Sequence, residues 1–157
     1  GPLEVVVSDL TYLRVGSSWH YLCPLQDLFN REIIGWSIGA KKNGELVKQA
    51  FLMSNYNLKN IQMFHSDRGS EFKNQLLEEM VEGFTWIRSL SHKGCPYDNA
   101  VIESLHHAIK TEFVRGRVFE SEEQLKREFF EYVHWYNHHR LHGSLAYQTP
   151  MELRQRV

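Results

Sequence analysis

Three acidic residues stand in contexts that could make them ligands of divalent cations. Asp9 interrupts an apolar segment near the start of the chain, and Asp67 and Glu103 have thirty-five residues between them. Hard cations prefer carboxylate oxygens, and two cations about 3.5–4 Å apart can hold the attacking and leaving oxygens of a phosphodiester. If the three carboxylates converge, they predict metal-dependent phosphoryl transfer on nucleic acid.

Glu103 stands on the most regular predicted helix. Asp98 or Asn99 can cap this helix, which runs to about Val114. At about 100° per residue its side chains divide into an apolar and a polar arc. The apolar arc has Val101, Ile102, Leu105, Ala108, Ile109 and Phe113, and the polar arc has Glu103, His106, His107 and Lys110. The polar arc either presents a carboxylate to a cation and a lysine to DNA, or is an ordinary solvated helix face.

The two aspartates each have a functional and a structural interpretation. Asp67 follows a short apolar run and precedes a predicted helix. Ligands bind at strand ends of α/β sheets, but an aspartate there can also cap the helix. Asp9 lies inside a predicted strand, where a buried charge is costly without a partner. It can instead face solvent, so the local sequence leaves both interpretations open.

The predicted elements indicate one α/β domain. The strands are predicted at 4–13, 19–25, 32–38, 61–65 and 84–87, and the helices from Leu46, over 70–82, from 98 or 99 to 114, and from the capping box at Ser121 to Gln124. Short connections favour an antiparallel meander of the first three strands, followed by a crossover-connected part. This layout can place Asp9 and Asp67 on neighbouring strands. The core is predicted to include Trp19, Trp36 and Trp86.

Composition and charge bound the class of protein. The chain has 157 residues, 42% of them apolar, which fits one globular domain, and no apolar run suits a membrane span or a secretory signal. Gly1-Pro2 resembles a protease-cleavage scar, so the domain is taken as 3–157. Cys23 and Cys95 lack CxxC spacing and fit a reducing cytoplasm. A net charge of −1 predicts weak DNA binding by this piece alone.

Several motifs, in order and over nearly the whole chain, carry a resemblance to one family. They are Ser8 to Tyr12, Asp27 to Asn30-Arg31, Gly35-Trp36, His65 to Ser70, Ser91 to Ala100, Glu103-Ser104, and Tyr136-Asn137 with Arg140, His142 and Thr149-Pro150. These motifs resemble the DDE transposases of the IS3 family of insertion sequences. The resemblance implies an RNase H-like fold of the retroviral-integrase superfamily. Its α/β architecture is a mixed sheet of about five strands, three antiparallel and then parallel, flanked by helices.

The resemblance also implies residue roles. Asp9, Asp67 and Glu103 would form the catalytic, metal-binding triad for two Mg²⁺ ions, which Mn²⁺ can replace, with Asp9 as the candidate to bridge them. Cleavage of a DNA strand would be followed by strand transfer, in transposition and DNA integration. The residues expected to contact DNA are Lys110, Arg68, Asn99, His106 and Arg140.

The same resemblance implies the cellular setting. The expected partners are the ends of the element and target DNA, with no membrane, and the active complex is expected to be a homo-oligomer. The expected location is the bacterial cytoplasm, in association with the nucleoid. The family's N-terminal helix-turn-helix region, which reads the element ends, is absent from this sequence.

Other interpretations stay open at this point. An RNase H-like nuclease, including a relative of Holliday-junction type, would cut without joining. A domesticated DNA-binding protein would not catalyse, although an intact triad argues against it. Four histidines near the C-terminus also raise a zinc site, because i,i+4 spacing puts two on one helix face, but no cysteine pair accompanies them. They are His134, His138, His139 and His142.

Overall fold

A mixed six-stranded sheet organises the part of the chain that the computed structural model describes, residues 1–92 and 99–157. The strands are β1 (Val5–Ser8), β2 (Thr11–Val15), β3 (Ser18–Asp27), β4 (Ile33–Gly39), β5 (Met63–Ser66) and β6 (Ile87–Leu90). The helices are α1 (Gly44–Leu52), α2 (Gln75–Phe84), α3 (Ala100–Ala108), α4 (Glu122–His138) and α5 (Pro150–Gln155). A π-helical turn, Ile109–Val114, continues α3, and short 3₁₀ turns span Leu58–Asn60 and Gly143–Leu145.

The long strand β3 is the centre of the antiparallel part. It pairs with β1 and β2 along one edge and with β4 along the other. On the far side of β1, strands β5 and β6 run parallel to it and to each other. The predicted α/β class, with antiparallel strands followed by parallel ones, is therefore confirmed.

The first predicted strand is wrong in one respect, because the structure divides it into β1 and β2 at Asp9 and Leu10. The register of β3 places Pro24 opposite Asp9. Proline has no N–H to give to a ladder. The Pro24 carbonyl accepts a hydrogen bond from the Ser8 hydroxyl instead, at 2.7 Å. The sheet therefore opens at the position where Asp9 leaves it.

Side chains alternate between two cores, one on each face of the sheet. Val7 and Leu13 pack with α3 and α4 on one face, and Val6 packs with α1 and α2 on the other. Trp36 meets Phe129 edge-to-face at 5.1 Å in the first core. Burying such side chains contributes about 1.5–3 kcal/mol each. The second core contains Trp86, so the prediction for these two tryptophans is confirmed.

The prediction for Trp19 is wrong. Along β2 burial alternates, with Leu13 and Val15 buried and Tyr12 and Arg14 exposed. Trp19 pairs across the hairpin with Arg14 and shares its outward face. The Trp19 side chain is 51% exposed, because the helices cover only the opposite face of this hairpin.

Helix boundaries depend on the caps. The predicted helix over 70–82 begins only at Gln75, because Asn74 accepts a hydrogen bond from the Leu77 N–H at 3.0 Å. It continues through Gly83 and ends at Phe84, where Thr85 caps it with a left-handed φ of 60°, so the next strand begins later than predicted. Ser121 caps α4 as predicted, accepting from the Gln124 N–H at 3.1 Å.

The C-terminal segment is fastened to the sheet by buried polar contacts. Arg154 of α5 donates to Asp27 and, at 2.6 Å, to Glu32, and both carboxylates are buried. Tyr56 donates to the same Glu32 at 2.8 Å. Asn137 of α4 pairs with the main chain of β4. Asp27 and Asn137, two motif positions whose role the sequence leaves open, therefore hold the C-terminal helices against the sheet. Within the described ranges, no helix is long and apolar enough to cross a membrane.

Candidate active site

Two of the three predicted carboxylates meet at the carboxyl ends of two parallel strands. Val7 of β1 lies opposite His65 of β5, and continuing that register brings Asp9 beside Asp67. Their side chains are hydrogen-bonded to each other. Asn74, not Asp67, caps α2. The Oδ1 of Asp67 accepts a hydrogen bond from the Gly69 N–H at 2.8 Å. The aspartates are therefore paired in a site at the sheet edge.

The electrostatics of this pair favour a cation. Burial, then the charge and hydrogen bond of Asp67, raise the pKa of Asp9 from 3.8 to about 7, and Glu71 adds to the effect. The Leu10 N–H acts in the opposite direction. Ionising two neighbouring carboxylates is energetically unfavourable unless a cation lies close to both. Their hard oxygen donors fit a divalent cation such as Mg²⁺.

Replacing Asp9 by Asn should stabilise the metal-free protein above pH 7. Between pH 4 and 7 the folded protein keeps a proton on Asp9 that the unfolded chain has lost, so the free energy of unfolding falls as pH rises. The variant lacks this loss and should be about 1–2 kcal/mol more stable at pH 8, after allowance for solvent screening. Urea unfolding in EDTA at pH 4.5 and pH 8 measures this. If the difference in unfolding free energy between the variant and the wild type is the same at both pH values, the prediction is wrong.

The turn after Asp67 is tightly packed. A Cβ at Gly69 would lie 2.4 Å from a Glu71 carboxylate oxygen, so a larger residue here would displace that carboxylate. Glu71 is buried, and its Oε2 has no hydrogen-bond partner among the described residues. Arg88 of β6 donates to the Phe64 carbonyl at 3.0 Å and also to Ser66. Arg88 therefore secures the strand that ends at Asp67.

Helix α3 lies against the break between β1 and β2. His106 Nε2 donates to the Asp9 carbonyl at 2.9 Å. Burial lowers the pKa of His106, and a neutral ring with its proton on Nε2 can make this bond. Lys110 donates to the Tyr12 carbonyl and its Nζ lies 5.3 Å from the Tyr12 ring centroid. Burial lowers the pKa of Lys110. Two predicted DNA-contacting residues are therefore at the site.

Glu103 stands one helical turn before His106, on the exposed surface of α3. Residues three apart on a helix are neighbours. Within residues 1–92 and 99–157, Glu103 is not among the groups that shift the pKa of Asp9. In the same ranges, no three His, Cys, Asp or Glu side chains form a group that could hold a metal. The structure thus pairs two carboxylates and places the third on the adjoining helix.

The other predicted DNA contacts divide between two places. Arg68 Nε donates to the Ser91 carbonyl at 3.2 Å, and Asn99 Nδ2 lies 3.5 Å from the Ser91 hydroxyl. Asn99 is the N-cap residue of α3 but makes no side-chain bond to the helix. Asp98, the other predicted cap, and Cys95 lie outside the described residues.

Arg140 lies elsewhere, in an ion pair. Its Nε and Nη2 bind Glu112 at 2.8–3.0 Å, and Tyr132 donates to the same carboxylate at 2.9 Å. Arg140 also borders a cavity of about 400 Å³ beside α3, together with Arg31. Of the C-terminal histidines, three have neighbouring rings on α4, while His142 packs on Tyr136. The three are His134, His138 and His139.

Comparison with known proteins identifies the domain. A family model described as "Integrase core domain" matches residues 1–99, and a second model with the same description matches residues 103–157. The chain belongs to the integrase core domain family. The resemblance to IS3-family transposases is also confirmed by the relatives described next.

This integrase core is similar to curated transposases. It is 30% identical over 154 residues to the transposase for IS904 of Lactococcus lactis subsp. lactis (strain IL1403), covering 96% of this chain and 61% of that protein. It is 33% identical over 153 residues to transposase InsF for IS3A of Escherichia coli (strain K12), covering 96% and 53%. The chain therefore spans just over half the length of the relatives it matches.

Solved structures share its fold. A chain of the simian T-cell lymphotropic virus intasome in complex with PP2A regulatory subunit B56 gamma superimposes with a TM-score of 0.80 at 13% identity, covering 97% of this chain and 54% of that one. The HTLV-2 integrase catalytic core domain in complex with magnesium (dimeric form) gives 0.67 at 16% identity, covering 97% and 94%. The integrase core therefore has the RNase H-like fold of retroviral integrase catalytic cores.

Sequence reasoning missed two charged residues of this integrase core. Burial lowers the pKa of Arg88 to about 10, and Asp67 opposes that shift. Glu71 contributes negative potential to Asp9. The sequence did contain a signal for Arg88, because a charged residue within the short strand β6 is unusual. Glu71 carried no signal, because it reads as an ordinary first-turn acid of the helix predicted over 70–82.

Proposed function

We propose that this integrase core cuts and joins DNA by metal-dependent phosphoryl transfer, as the catalytic part of an IS3-type transposase. The observation that carries the proposal is the pairing of Asp9 with Asp67 at the ends of parallel strands, with the pKa of Asp9 raised to about 7. Such a pair needs positive charge, and perturbed carboxylates in this setting mark functional sites. The family and the magnesium complex of HTLV-2 integrase support the use of a divalent metal.

Asp9, Asp67 and Glu103 are proposed as the residues that would hold two Mg²⁺ ions, which Mn²⁺ could replace. When bound, the ions would supply an activated oxygen nucleophile and charge stabilisation at the leaving 3′-oxygen. His106 positions Asp9 through its carbonyl. Glu103 would have to approach the pair from α3, where it stands three residues before His106, which contacts the Asp9 main chain.

DNA would lie across the surface that joins α3 to the ends of β1, β5 and β6. His106 donates to the main chain of Asp9, Lys110 donates to the main chain of Tyr12, and Arg68 and Asn99 lie together beside Ser91. Arg140 has five N–H donors, and among residues 1–92 and 99–157 Glu112 and His142 occupy three, which leaves two for a phosphate. The proposed partners are element ends and target DNA, in a homo-oligomer. The related intasome and the dimeric form of the HTLV-2 integrase catalytic core domain support such an assembly.

A branched DNA substrate tests the reaction without knowledge of the element ends. In this substrate a 3′-hydroxyl abuts a phosphodiester, so that one transesterification joins one strand and releases another. With Mn²⁺, the chain is expected to yield the joined strand. Hydrolysis products without joining would favour a nuclease, and DNA binding without products would favour a non-catalytic DNA-binding protein.

Replacing Lys110 by Met should weaken DNA binding while keeping the aliphatic contact with Tyr12. A lost phosphate contact should reduce the slope of log K against log salt by about 0.9. The salt dependence of binding to a labelled duplex measures it. Lys59→Met is the matched control, because Lys59 is exposed and precedes β5 at the opposite edge of the sheet. Equal slopes for both variants would exclude a phosphate contact by Lys110.

A further inference from the structure

An exposed aromatic pair borders the candidate active site. Tyr12 and Trp19 are 56% and 51% exposed, and their rings meet edge-to-face with centroids 5.3 Å apart. A cationic side chain lies over each ring. The Arg14 guanidinium is 5.0 Å from the Trp19 centroid, and the Lys110 ammonium is 5.3 Å from the Tyr12 centroid. These four residues, Tyr12, Arg14, Trp19 and Lys110, are called the aromatic platform below.

The fold itself sets the position of the aromatic platform. Tyr12 and Arg14 point away from the core face of β2, and Trp19 stands opposite Arg14 on β3. Tyr12 follows Asp9 by three residues, so their Cα atoms are separated by at most about 10 Å of chain. Lys110 of α3 contacts Tyr12, one turn beyond His106, which contacts Asp9. The Lys110 end of the aromatic platform therefore lies one helical turn from the contact of His106 with the Asp9 main chain.

The chemistry of these side chains fits a nucleotide. Aromatic faces stack on bases of any sequence, and cations beside them neutralise the attached phosphates. Along one DNA strand, about 10 Å corresponds to roughly three nucleotides at 3.4 Å each. A base inside a duplex is already stacked on both faces, so stacking on a protein ring close to the reacting phosphate favours an unpaired nucleotide. A protein partner would explain the exposed rings, but not a cation on each of them beside a phosphoryl-transfer site.

We propose that the aromatic platform binds an unpaired DNA base within about three nucleotides of the phosphodiester that the carboxylates engage. The inference rests on the proposed function and specifies the form of its substrate. DNA ends that are frayed or single-stranded near the reacting phosphate bind more tightly than fully paired ends. Trp19 supplies the main stacking surface, and Tyr12 supports its edge.

Equilibrium binding in Ca²⁺ tests this without depending on catalysis. Two labelled duplexes are compared that differ only in three terminal nucleotides, paired in one and unpaired in the other. The wild-type chain is expected to prefer the unpaired end by about ten-fold, as one stacked base would give. Trp19→Ala should lose this preference and Trp19→Phe should keep most of it. Trp135→Ala, which removes a 41% exposed tryptophan from α4, should keep all of it.

The outcomes separate the two proposals. A Trp19→Ala variant that retains the wild-type preference, or that weakens binding to both duplexes equally, overturns the aromatic platform as a base-binding site. If the wild-type chain joins the branched substrate but shows no preference for unpaired ends, the aromatic platform alone fails. If it neither binds DNA nor joins the branched substrate, the proposed function fails. Thermal unfolding of each variant checks that the fold is intact.

Discussion

The Asp67→Asn variant should lose cleavage and joining by at least about 10³-fold, while its affinity for DNA changes only a few-fold. Asn can still pair with Asp9 and accept from the Gly69 N–H, so the turn should persist. What disappears is a negative charge that a divalent cation requires, and a thousand-fold loss corresponds to about 4 kcal/mol of barrier. Rates on the branched substrate in Mn²⁺, with binding to the same DNA, measure the two effects separately.

The matched control for this variant is Glu82→Gln, which removes an exposed carboxylate from α2 and should leave the rate unchanged. Asp9→Asn and Glu103→Gln should reproduce the loss seen with Asp67→Asn. The three losses should not add in double variants, because residues that act as one unit fail together. Wild-type rates in Asp67→Asn would remove Asp67 from the site and with it the proposed mechanism.

The Arg154→Met variant should be destabilised by about 3 kcal/mol. Its guanidinium is the cationic partner of two buried carboxylates, Asp27 and Glu32, and breaking a buried pair from one side costs about 3–5 kcal/mol. We expect the lower end of this range of destabilisation, because Asp27 keeps hydrogen bonds from the Leu3 and Phe29 N–H groups, at 2.9 and 3.0 Å. Urea unfolding at neutral pH measures the change.

Arg156→Met is the control for that variant, because Arg156 is exposed at the end of the same helix and should shift stability by less than about 0.5 kcal/mol. Adding Glu32→Gln to Arg154→Met should recover part of the loss, since one stranded charge is removed. A loss below about 1 kcal/mol with no recovery would show that α5 is not secured by these charges.

Local hydrogen bonding explains which element boundaries were predictable. The α4 cap at Ser121 needs only its own side chain and the Gln124 N–H, and the structure has that bond. For α2 the sequence predicts a start at position 70. The structure begins the helix after Asn74, which accepts from the N–H of the buried Leu77. The periodicity of the apolar residues therefore located the helix but not its first residue.

The sequence by itself determined the fold class, the identity of the three carboxylates as candidates and the family, because strand periodicity, helix arcs and motif order are local or linear properties. Only the tertiary structure decided that Asp9 pairs with Asp67, because this depends on strand register. It also placed Glu103 on α3, one turn before the His106 that contacts Asp9, because this depends on how the helix docks on the sheet. It also decided that Trp19 is exposed beside the site. An aromatic residue in a strand is equally suited to either face, and its exposure depends on which face the helices cover.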